Sequence, residues 1–526
     1  MSVESTISEA GIEQNLEQFL LVLSISLSVA TISRIFAWFR RIPYTLLLVI
    51  VGLGLAFVDV RLVNLSPELI LEIFLPPLLF EAAWNIRWRE LKQDLISVSL
   101  FAIVGVVISV VGIAFAINQL TELPLTTALL VGASLSATDP VSVVALFREL
   151  GADKRLKILM EGESLFNDGV AVVAFLLLVG IPLGTSEFSV STTFARFCVF
   201  VGIGIGVGCL VGFGISLLTQ RFDLPLVEQS LTLVSAYGTY LITEELGGSG
   251  VIGVVTVGLI LGNFGSRIGM NPRTRLIVSE FWDFLAFFVN SIVFLLIGDQ
   301  INFSSLGQNL NLIAVAIGAL LLTRAIAIYG LAAISNWLAN AQIGWREQTV
   351  LWWGGLRGSV SIALALSVPV ALDGRQDIID TVFGVVLFTL LVQGLTTQFF
   401  LEKLNLIGDQ PLRQQYSEVV ARRVALNRVK DYLLEAAKSK DIDSEFALYQ
   451  RELVQFQLES IQEQIDEMLN KYPQLQALDM EQLQEKMIDI EADTYAEFIR
   501  SGRLNEHLSP LLQGILTEAD AKQLID

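Results

Sequence analysis

The chain has few of the residues on which metalloenzymes and nucleic-acid-binding proteins depend. It contains a single histidine, His507, and only two cysteines in 526 residues. One histidine excludes histidine-based metal sites and a histidine pH switch in the apolar part of the chain. Cys198 and Cys209 share one apolar segment, where a helix would hold them about 16 Å apart, too far for a disulfide. The net charge of -19 argues against nucleic acid as a partner.

Apolar sequence, by contrast, is abundant. Hydrophobic residues make up 53% of the chain and charged residues 17%, and the mean hydropathy is +0.63. This composition is typical of a multi-pass membrane protein and not of a soluble enzyme. The residues before the first apolar segment include acidic side chains but no Lys or Arg. We therefore expect a retained first helix instead of a cleaved secretory signal.

Thirteen apolar segments are long enough to cross a bilayer. The prediction is an all-α membrane protein with thirteen transmembrane helices. Alternate loops between them hold fourteen Lys and Arg residues, and the remaining loops hold only Arg61 and Arg375. Because cytoplasmic loops collect basic residues, this pattern places the N-terminus outside and the C-terminus in the cytoplasm. The segments are 16–37, 43–60, 66–83, 94–118, 123–147, 156–180, 193–219, 226–246, 249–264, 278–298, 309–335, 347–371 and 378–402.

The composition becomes polar after about residue 403. We expect residues 1–403 to form the membrane domain and residues 404–526 an acidic cytoplasmic tail. Apolar positions in the tail, such as Ile461 and Ile465, recur at helical spacing, which predicts amphipathic helices. The tail contains no phosphate-binding glycine loop and no metal-ligand cluster. It is interpreted either as a solvated helical domain or as a regulatory one.

The sixth segment carries an unusual polar stretch, Glu161 to Gly169. An ionisable group at the bilayer centre costs roughly 2.5 to 3.5 kcal/mol on insertion scales, so it is a functional candidate by default. Helical spacing places Ser164 and Asp168 on one face, and Glu163 and Asn167 on another. The first face offers hard oxygen ligands, which suit a small cation. The second suits a structural partner, and Glu161 has no assigned role.

Two arginines near the middle of apolar segments and a glutamate near the end of another are further candidates. Arg324 and Arg357 lie in the eleventh and twelfth segments, and a buried arginine keeps its proton and must be paired. We predict a Glu163–Arg324 ion pair that fixes the helices; the alternative is separate solvation of each side chain in a cavity. Glu81, near the cytoplasmic end of the third segment, is interpreted either as a cation ligand on the access path or as an interfacial glutamate.

Two segments contain helix-breaking sequence. In the fifth, Pro140 removes a backbone hydrogen bond and disfavours helix at Asp139; the twelfth is interrupted by Gly354 to Gly358. The two segments are seven apart and so cross in opposite directions, which predicts an inverted repeat with a midplane site, segments 4 to 6 matching 11 to 13. Each break would leave two shorter helices with exposed ends. Asp139 would compensate the partial positive charge at an N-terminal end, and Arg357 would compensate the partial negative charge at a C-terminal end. The alternative is two kinks with snorkelling side chains.

Four motifs stand out along the chain: Leu75 to Glu81, Ala137 to Val141, Glu161 to Gly169 and Gly354 to Gly358. In their order and spacing they resemble the motifs of monovalent cation:proton antiporters of the NhaP and sodium/proton exchanger type, and in particular the cyanobacterial NhaP branch. The resemblance covers residues 16–403. It implies a homodimer in the cell membrane, or in the thylakoid membrane of a cyanobacterium, that serves pH homeostasis and salt tolerance. It also implies a moving core of about 94–180 and 309–403, and dimerisation helices of about 16–83 and 193–298.

The resemblance further implies a role for each site residue. Asp168 would bind Na⁺ or H⁺ in turn, with Ser164, Thr138 and Glu81 completing the Na⁺ site. Asn167 would bond to the broken fifth segment, and an Asn–Asp pair accompanies electroneutral one-for-one exchange in such families. The substrates would be Na⁺ and H⁺, with Li⁺ as a further cation, and no cofactor is expected.

Other functions remain open at this point. The same fold could exchange K⁺ or Ca²⁺ for protons, since ligand types alone do not distinguish these cations. A cation channel is a second alternative, but broken inverted helices and a single carboxylate site favour a transporter. A membrane enzyme has little support, because no nucleophile and base pair occurs at a common depth.

Overall fold

The computed structural model is helical, and no strand occurs among the residues it describes. The chain divides into two compact units, Met1–Leu406 and Ile407–Asp526. Arg61 and most of the predicted tail beyond residue 472 lie outside the described residues. Those described are 3–36, 42–58, 62, 65–184, 189–220, 224–266, 270–339, 341–406, 410–436, 444–472, 475, 487, 490–491, 494–495 and 498.

Helices fill the first unit. Short π-helical turns, Leu69–Phe74, Leu100–Val104, Leu261–Gly265 and Thr389–Gly394, continue or join several of them. The α-helices are α1 (Val3–Ile35), α2 (Tyr44–Phe57), α3 (Leu75–Asn85), α4 (Trp88–Gln93), α5 (Leu95–Ser99), α6 (Gly105–Leu120), α7 (Leu125–Ser134), α8 (Val141–Leu150), α9 (Lys154–Leu178), α10 (Val190–Thr219), α11 (Pro225–Glu245), α12 (Gly250–Ile260), α13 (Pro272–Asp299), α14 (Phe303–Gln308), α15 (Leu310–Ala339), α16 (Trp345–Trp353), α17 (Ser359–Leu366), α18 (Arg375–Phe388) and α19 (Leu395–Lys403).

Every predicted apolar segment contains helix, but the boundaries differ in places. α1 begins at Val3 instead of residue 16, and α4 and α14 occupy predicted loops. α14 forms because the side chain of Asn302 caps its first turn, accepting hydrogen bonds from the backbone nitrogens of Ser304 and Ser305. Among the described residues, five helical stretches are long and apolar enough to cross a membrane by length and composition: Leu95–Leu120, Val190–Thr219, Arg273–Asp299, Leu310–Ala339 and Arg375–Lys403.

The helix is interrupted between α7 and α8 and again between α16 and α17, and the two interruptions contact each other. The backbone nitrogen of Asp139 donates to the carbonyl of Leu356 at 2.8 Å. A Cβ atom at Gly358 would overlap the Asp139 carboxylate, so glycine is what allows this approach. The unwound backbone of both segments is therefore held in the interior of the unit.

Helices α2 and α13 pack at very short range through two glycines. A Cβ atom on Gly52 would meet the carbonyl of Leu295, and one on Gly298 would meet the carbonyl of Val49. Small residues allow such backbone approach, which is how membrane helices gain van der Waals contact. Gly54, two residues further along and on the opposite face of α2, has no atom within 4 Å of an added Cβ.

We expect Gly52→Ala to destabilise the protein and Gly54→Ala to be tolerated. The first substitution overpacks a backbone contact, at a cost of about 1 to 3 kcal/mol. The second adds a methyl group in open space and improves helix propensity. Thermal melting of both variants in detergent, followed by fluorescence-detected gel filtration, measures the difference. Equal melting temperatures would show that the α2–α13 contact is not as close as described.

The described part of the second unit consists mainly of two long helices, α20 (Gln410–Ala436) and α21 (Ser444–Lys471). A small core of Tyr416, Ile461, Ile465 and Leu475 lies among its own helices. The apolar positions that predict amphipathic helices thus pack within the unit itself. Its role as a regulatory or simply solvated domain stays a prediction, as does the division of the first unit into core and dimerisation helices.

Candidate cation site

Helix α9 carries the polar stretch without a break. The side chain of Asp153 caps its start, accepting from the backbone nitrogen of Arg155 at 2.8 Å. Glu163, Ser164 and Asp168 are buried within it. Because the helix continues past these residues, their side chains project at fixed angles toward the neighbouring segments. The positions that helical spacing groups on one face are therefore held rigidly.

A cavity of about 390 Å³ lies between α9, α3, α13 and the two interrupted helices. All four residues expected to bind Na⁺ line it, namely Asp168, Ser164, Thr138 and Glu81. They come from three separate parts of the chain. The structure thus brings together side chains that the sequence leaves as far as 87 positions apart. Asp139 and Glu161 line the same cavity.

Asp168 is the most conspicuous of these groups. Its side chain is only 9% exposed, and its Oδ1 atom is buried without a hydrogen-bond partner among the described residues. Buried polar atoms in proteins are nearly always hydrogen-bonded, because leaving one unpaired is costly. A buried carboxylate with an unpaired oxygen, on a residue that lines a cavity, is suited to a cation or a proton.

Thr138 joins the unwound fifth segment to α9 through three hydrogen bonds. Its carbonyl accepts from the hydroxyl of Ser164. The amide of Asn167 donates to the Thr138 hydroxyl at 2.6 Å and accepts from the Thr138 backbone nitrogen at 3.2 Å. Ser164 and Asn167, assigned to different faces from their spacing, therefore converge on one residue. Hydroxyl oxygens have two lone pairs, so both hydroxyls keep capacity for a cation.

Charged side chains compensate the helix dipoles at the point where the two interrupted segments cross. Arg357 is 1% exposed, and its Nη1 donates to the carbonyls of Ser136 and Ala137 at 2.7 and 2.8 Å, just beyond the C-terminal end of α7. Asp139 accepts from the backbone nitrogen of Val141 at 3.0 Å, at the start of α8. The positive charge of Arg357 thus lies at a negative C-terminal helix end, and the negative charge of Asp139 at a positive N-terminal end.

Glu163 and Arg324 form a buried, bidentate ion pair. The two nitrogen–oxygen distances are 2.8 and 3.2 Å. Arg324 also donates to the carbonyls of Leu351 and Trp352 at 2.8 and 3.1 Å, near the end of α16. The guanidinium therefore links α9, α15 and α16 while its charge is neutralised by one carboxylate. Pairing of this kind is what makes a buried arginine tolerable.

Several site residues were not predicted from the sequence. Asp283, Asn85 and Tyr44 line the cavity, and the amide of Asn85 donates to Glu81 at 2.6 Å and to Asp283 at 3.1 Å. Asp283 lies in the predicted tenth segment, so an acidic residue in an apolar segment was the available signal.

Glu161, left without a role, lies 3.6 Å from Lys157 and 3.7 Å from Arg148.

A helical membrane protein with two interrupted helices crossing beside a buried carboxylate has the features of a secondary ion transporter. Comparison with known proteins specifies the family. Residues 24–403 match the transmembrane sodium/hydrogen exchanger family. The chain is a multi-pass membrane protein that belongs to this family, and the resemblance to antiporters of the NhaP type is confirmed.

Individual relatives match over nearly the whole chain. The Na⁺/H⁺ antiporter ApNhaP of Aphanothece halophytica is 69% identical over 99% of this chain and 100% of its own length. The low-affinity Na⁺/H⁺ antiporter NhaS1 of Synechocystis is 62% identical over 97% of this chain and 98% of its own. The solved structure of the sodium proton antiporter MjNhaP1 from Methanocaldococcus jannaschii has a TM-score of 0.61 at 22% identity and covers 75% of this chain and 99% of its own. It shares the fold.

We expect Glu163→Gln to destabilise the protein strongly. The substitution leaves the Arg324 charge buried without its counter-charge, which costs about 3 to 5 kcal/mol. Glu90→Gln is the matched control, because the Glu90–Arg87 pair is at 3.5 Å on the surface and such pairs contribute about 0 to 1 kcal/mol. Melting temperatures in detergent should fall for Glu163→Gln only. An unchanged value would mean that the pair does not stabilise the helices.

Proposed function

We propose that the chain exchanges Na⁺ for H⁺ across the membrane by alternating access, with the two ions competing for Asp168. The observation that carries the proposal is the buried Asp168 carboxylate, whose Oδ1 atom has no hydrogen-bond partner among the described residues and which lines a cavity with Ser164, Thr138 and Glu81. The names of the relatives at 69% and 62% identity, both Na⁺/H⁺ antiporters, support this activity.

Competition at one carboxylate is sufficient for coupling. With Na⁺ or H⁺ bound, the Asp168 side chain is neutral and can change its exposure from one side to the other. Without either ion, the bare charge in a low-dielectric setting opposes that change. Each proton that moves one way is then matched by one sodium ion moving the other way. A bound ion changes the equilibrium between the two access states only by as much as its affinities for them differ. The exchange therefore needs no energy source other than the two ion gradients.

The sodium ligands in this proposal are the oxygens of Asp168, Ser164, Thr138 and Glu81. Oxygen donors around one anionic carboxylate suit a hard monovalent cation. Asn167 contributes no charge and is bonded to Thr138, so the Asn–Asp pair has one titrating member. This supports electroneutral exchange at one Na⁺ per H⁺. Li⁺ fits the same ligands, and exchange of K⁺ or Ca²⁺ is the alternative that a panel of cations would reveal.

The membrane arrangement is part of the proposal. Thirteen spans with the N-terminus outside and the C-terminus in the cytoplasm agree with the loop charges and with helix in every apolar segment. The contact between the two interruptions supports an inverted repeat with its site near the midplane. We further propose a homodimer in the cell membrane, with the thylakoid membrane as the alternative location. A channel is disfavoured because the proposed site binds one ion between helix breaks.

Asp168→Asn should abolish Na⁺-dependent proton movement while leaving the protein folded. Asparagine keeps the size of the side chain but neither titrates nor neutralises a cation. Fluorescence dequenching of a pH dye in proteoliposomes, with pulses of Na⁺, Li⁺, K⁺ and Ca²⁺, measures the exchange and its selectivity. Asp373→Asn, at an exposed position between α17 and α18, should behave as the wild type. Retained exchange in Asp168→Asn would reject the assignment.

The one-for-one stoichiometry predicts that the rate of exchange does not depend on membrane potential. A potential of 100 mV changes the energy of one transferred charge by about 2.3 kcal/mol, so an electrogenic cycle would respond clearly. Initial rates of Na⁺/H⁺ exchange in proteoliposomes should be equal at zero potential and at imposed potentials of either sign. A rate that rises at one sign and falls at the other would exclude electroneutral exchange.

A further inference from the structure

A second cavity, of about 670 Å³, lies between α9, α10 and α12, and its lining is mostly apolar. None of its lining residues takes part in the proposed exchange. Ligand sites in proteins have volumes of about 300 to 1,000 Å³, so the cavity is large enough for a ligand. Leu165 lines this cavity and the cation cavity, so a single side chain contacts both spaces.

The cavity is long and narrow. Its lining on α10 consists of residues four apart, which share one face of the helix. At 1.5 Å per residue this stripe extends for about 24 Å, most of the roughly 30 Å of bilayer hydrocarbon. A helix of that length would occupy about 1,900 Å³ or more. The cavity therefore admits a thin chain and not a helix from a second copy of the protein. The stripe is Phe197, Val201, Ile205, Cys209 and Phe213.

Polar groups inside the cavity already have partners. The hydroxyl of Thr256 donates to the carbonyl of Ile252 at 2.8 Å. The amide of Asn263 donates to the carbonyl of Ile86 at 2.9 Å and accepts from the backbone nitrogen of Trp88 at 2.7 Å. The apolar lining gains dispersion contacts only if the space is filled. The part of a ligand that lies inside must therefore be hydrocarbon.

The cavity opens at the surface of the unit. Ile205 and Phe213, which line it, are 46% and 43% exposed, whereas Leu165 and Val170 in the same lining are 3% and 7% exposed. In a multi-pass membrane protein the exposed apolar surface of a spanning helix faces lipid. A flexible acyl chain can enter from the bilayer and reach the buried residues of α9.

One end of the cavity is next to α4. Asn263 bonds to Trp88, the first residue of α4. The residue after Asn263, Phe264, has its ring centroid 5.5 Å from that of Phe213, the last residue of the α10 stripe. Trp88 therefore lines the cavity at this end, and tryptophan is typical of the membrane interface. Lys92 lies four residues further along α4, on the same face as Trp88.

This end of the cavity has a surplus of positive charge. Lys92 and Arg89 are exposed, and neither forms an ion pair among the described residues. The acidic neighbours are paired with other arginines, Glu90 with Arg87 at 3.5 Å and Asp94 with Arg155 at 2.6 Å. Basic residues at a membrane surface attract anionic lipid head groups.

We propose that this cavity binds one acyl chain of an anionic phospholipid, whose head group lies at Lys92 and Arg89. Such a lipid matches both features, because its chain fills the apolar space and its phosphate neutralises the basic end. The chain contacts Leu165 and Phe166 on α9, the helix that carries Asp168. The proposal concerns binding and does not depend on the proposed exchange.

Photo-crosslinking of the full chain in detergent tests the site. The probe is a trace amount of phosphatidylglycerol with a diazirine in its acyl chain, and peptide mass spectrometry identifies the labelled residues. We expect label on Leu165 or Phe166, which unlabelled phosphatidylglycerol removes. Ile205→Trp fills the cavity and should reduce the labelling of α9 about tenfold, as expected for overpacking. Leu210→Trp is the matched control, since Leu210 is 76% exposed on α10 and does not line the cavity.

Competition by unlabelled lipids tests the head group. Phosphatidylglycerol should compete with the probe better than phosphatidylcholine with the same chains. Lys92→Gln should weaken the competition by phosphatidylglycerol about fivefold, which is the contribution of one basic residue near an anionic lipid. Arg273→Gln is the matched control and should leave it unchanged, because Arg273 is exposed at the start of α13, which does not line the cavity.

Three results would overturn the proposal. The first is wild-type protein without label on α9, as would follow if a second copy of the chain covered the cavity. The second is labelling of α9 that Ile205→Trp does not reduce, and the third is equal competition by the two lipids. The label map and the competition in the wild type decide the matter even if Ile205→Trp does not fold.

Discussion

The whole site depends on hydrogen-bond partners for its unwound backbone, and Arg357 provides them for the carbonyls of Ser136 and Ala137. Backbone that leaves the helix inside a bilayer has no water to bond with, so each freed carbonyl needs a partner from the protein. Arg357 supplies two of these bonds from the other interrupted helix. The same unwound segment can then present Thr138 to α9 and line a cavity with oxygen atoms.

The two buried carboxylates of α9, Glu163 and Asp168, differ in their partners. Glu163 and Arg324 neutralise each other, and Arg324 donates further hydrogen bonds to carbonyls near the end of α16. The Oδ1 atom of Asp168, by contrast, has no hydrogen-bond partner among the described residues. Glu163 and Arg324 therefore contribute to the cohesion of the helices, whereas the Asp168 carboxylate can take up a ligand. Pairing Asp168 as tightly as Glu163 would remove the site that the proposed exchange requires.

Periodicity and composition predict much of this fold, because membrane helices must be apolar over about twenty residues. Helix occurs in all thirteen apolar segments, and the interruptions fall at Pro140 and at Gly354 to Gly358. The Glu163–Arg324 contact could be inferred because a buried arginine requires a partner. Asp283 and Asn85 could not be placed so readily. Their position beside Glu81 depends on the contact between α3 and α13, which spacing along one helix does not reveal.

The hydrogen bonds of Ser164 and Asn167 to Thr138 have a further consequence for energetics. They tie α9 and the unwound segment together, so these ligands would travel with a bound ion as one rigid body. These groups then keep their mutual arrangement while the site changes its exposure, whereas Glu81, on α3, is not tied to them by these bonds. In the proposed exchange the two ion gradients alone decide the direction of net flux.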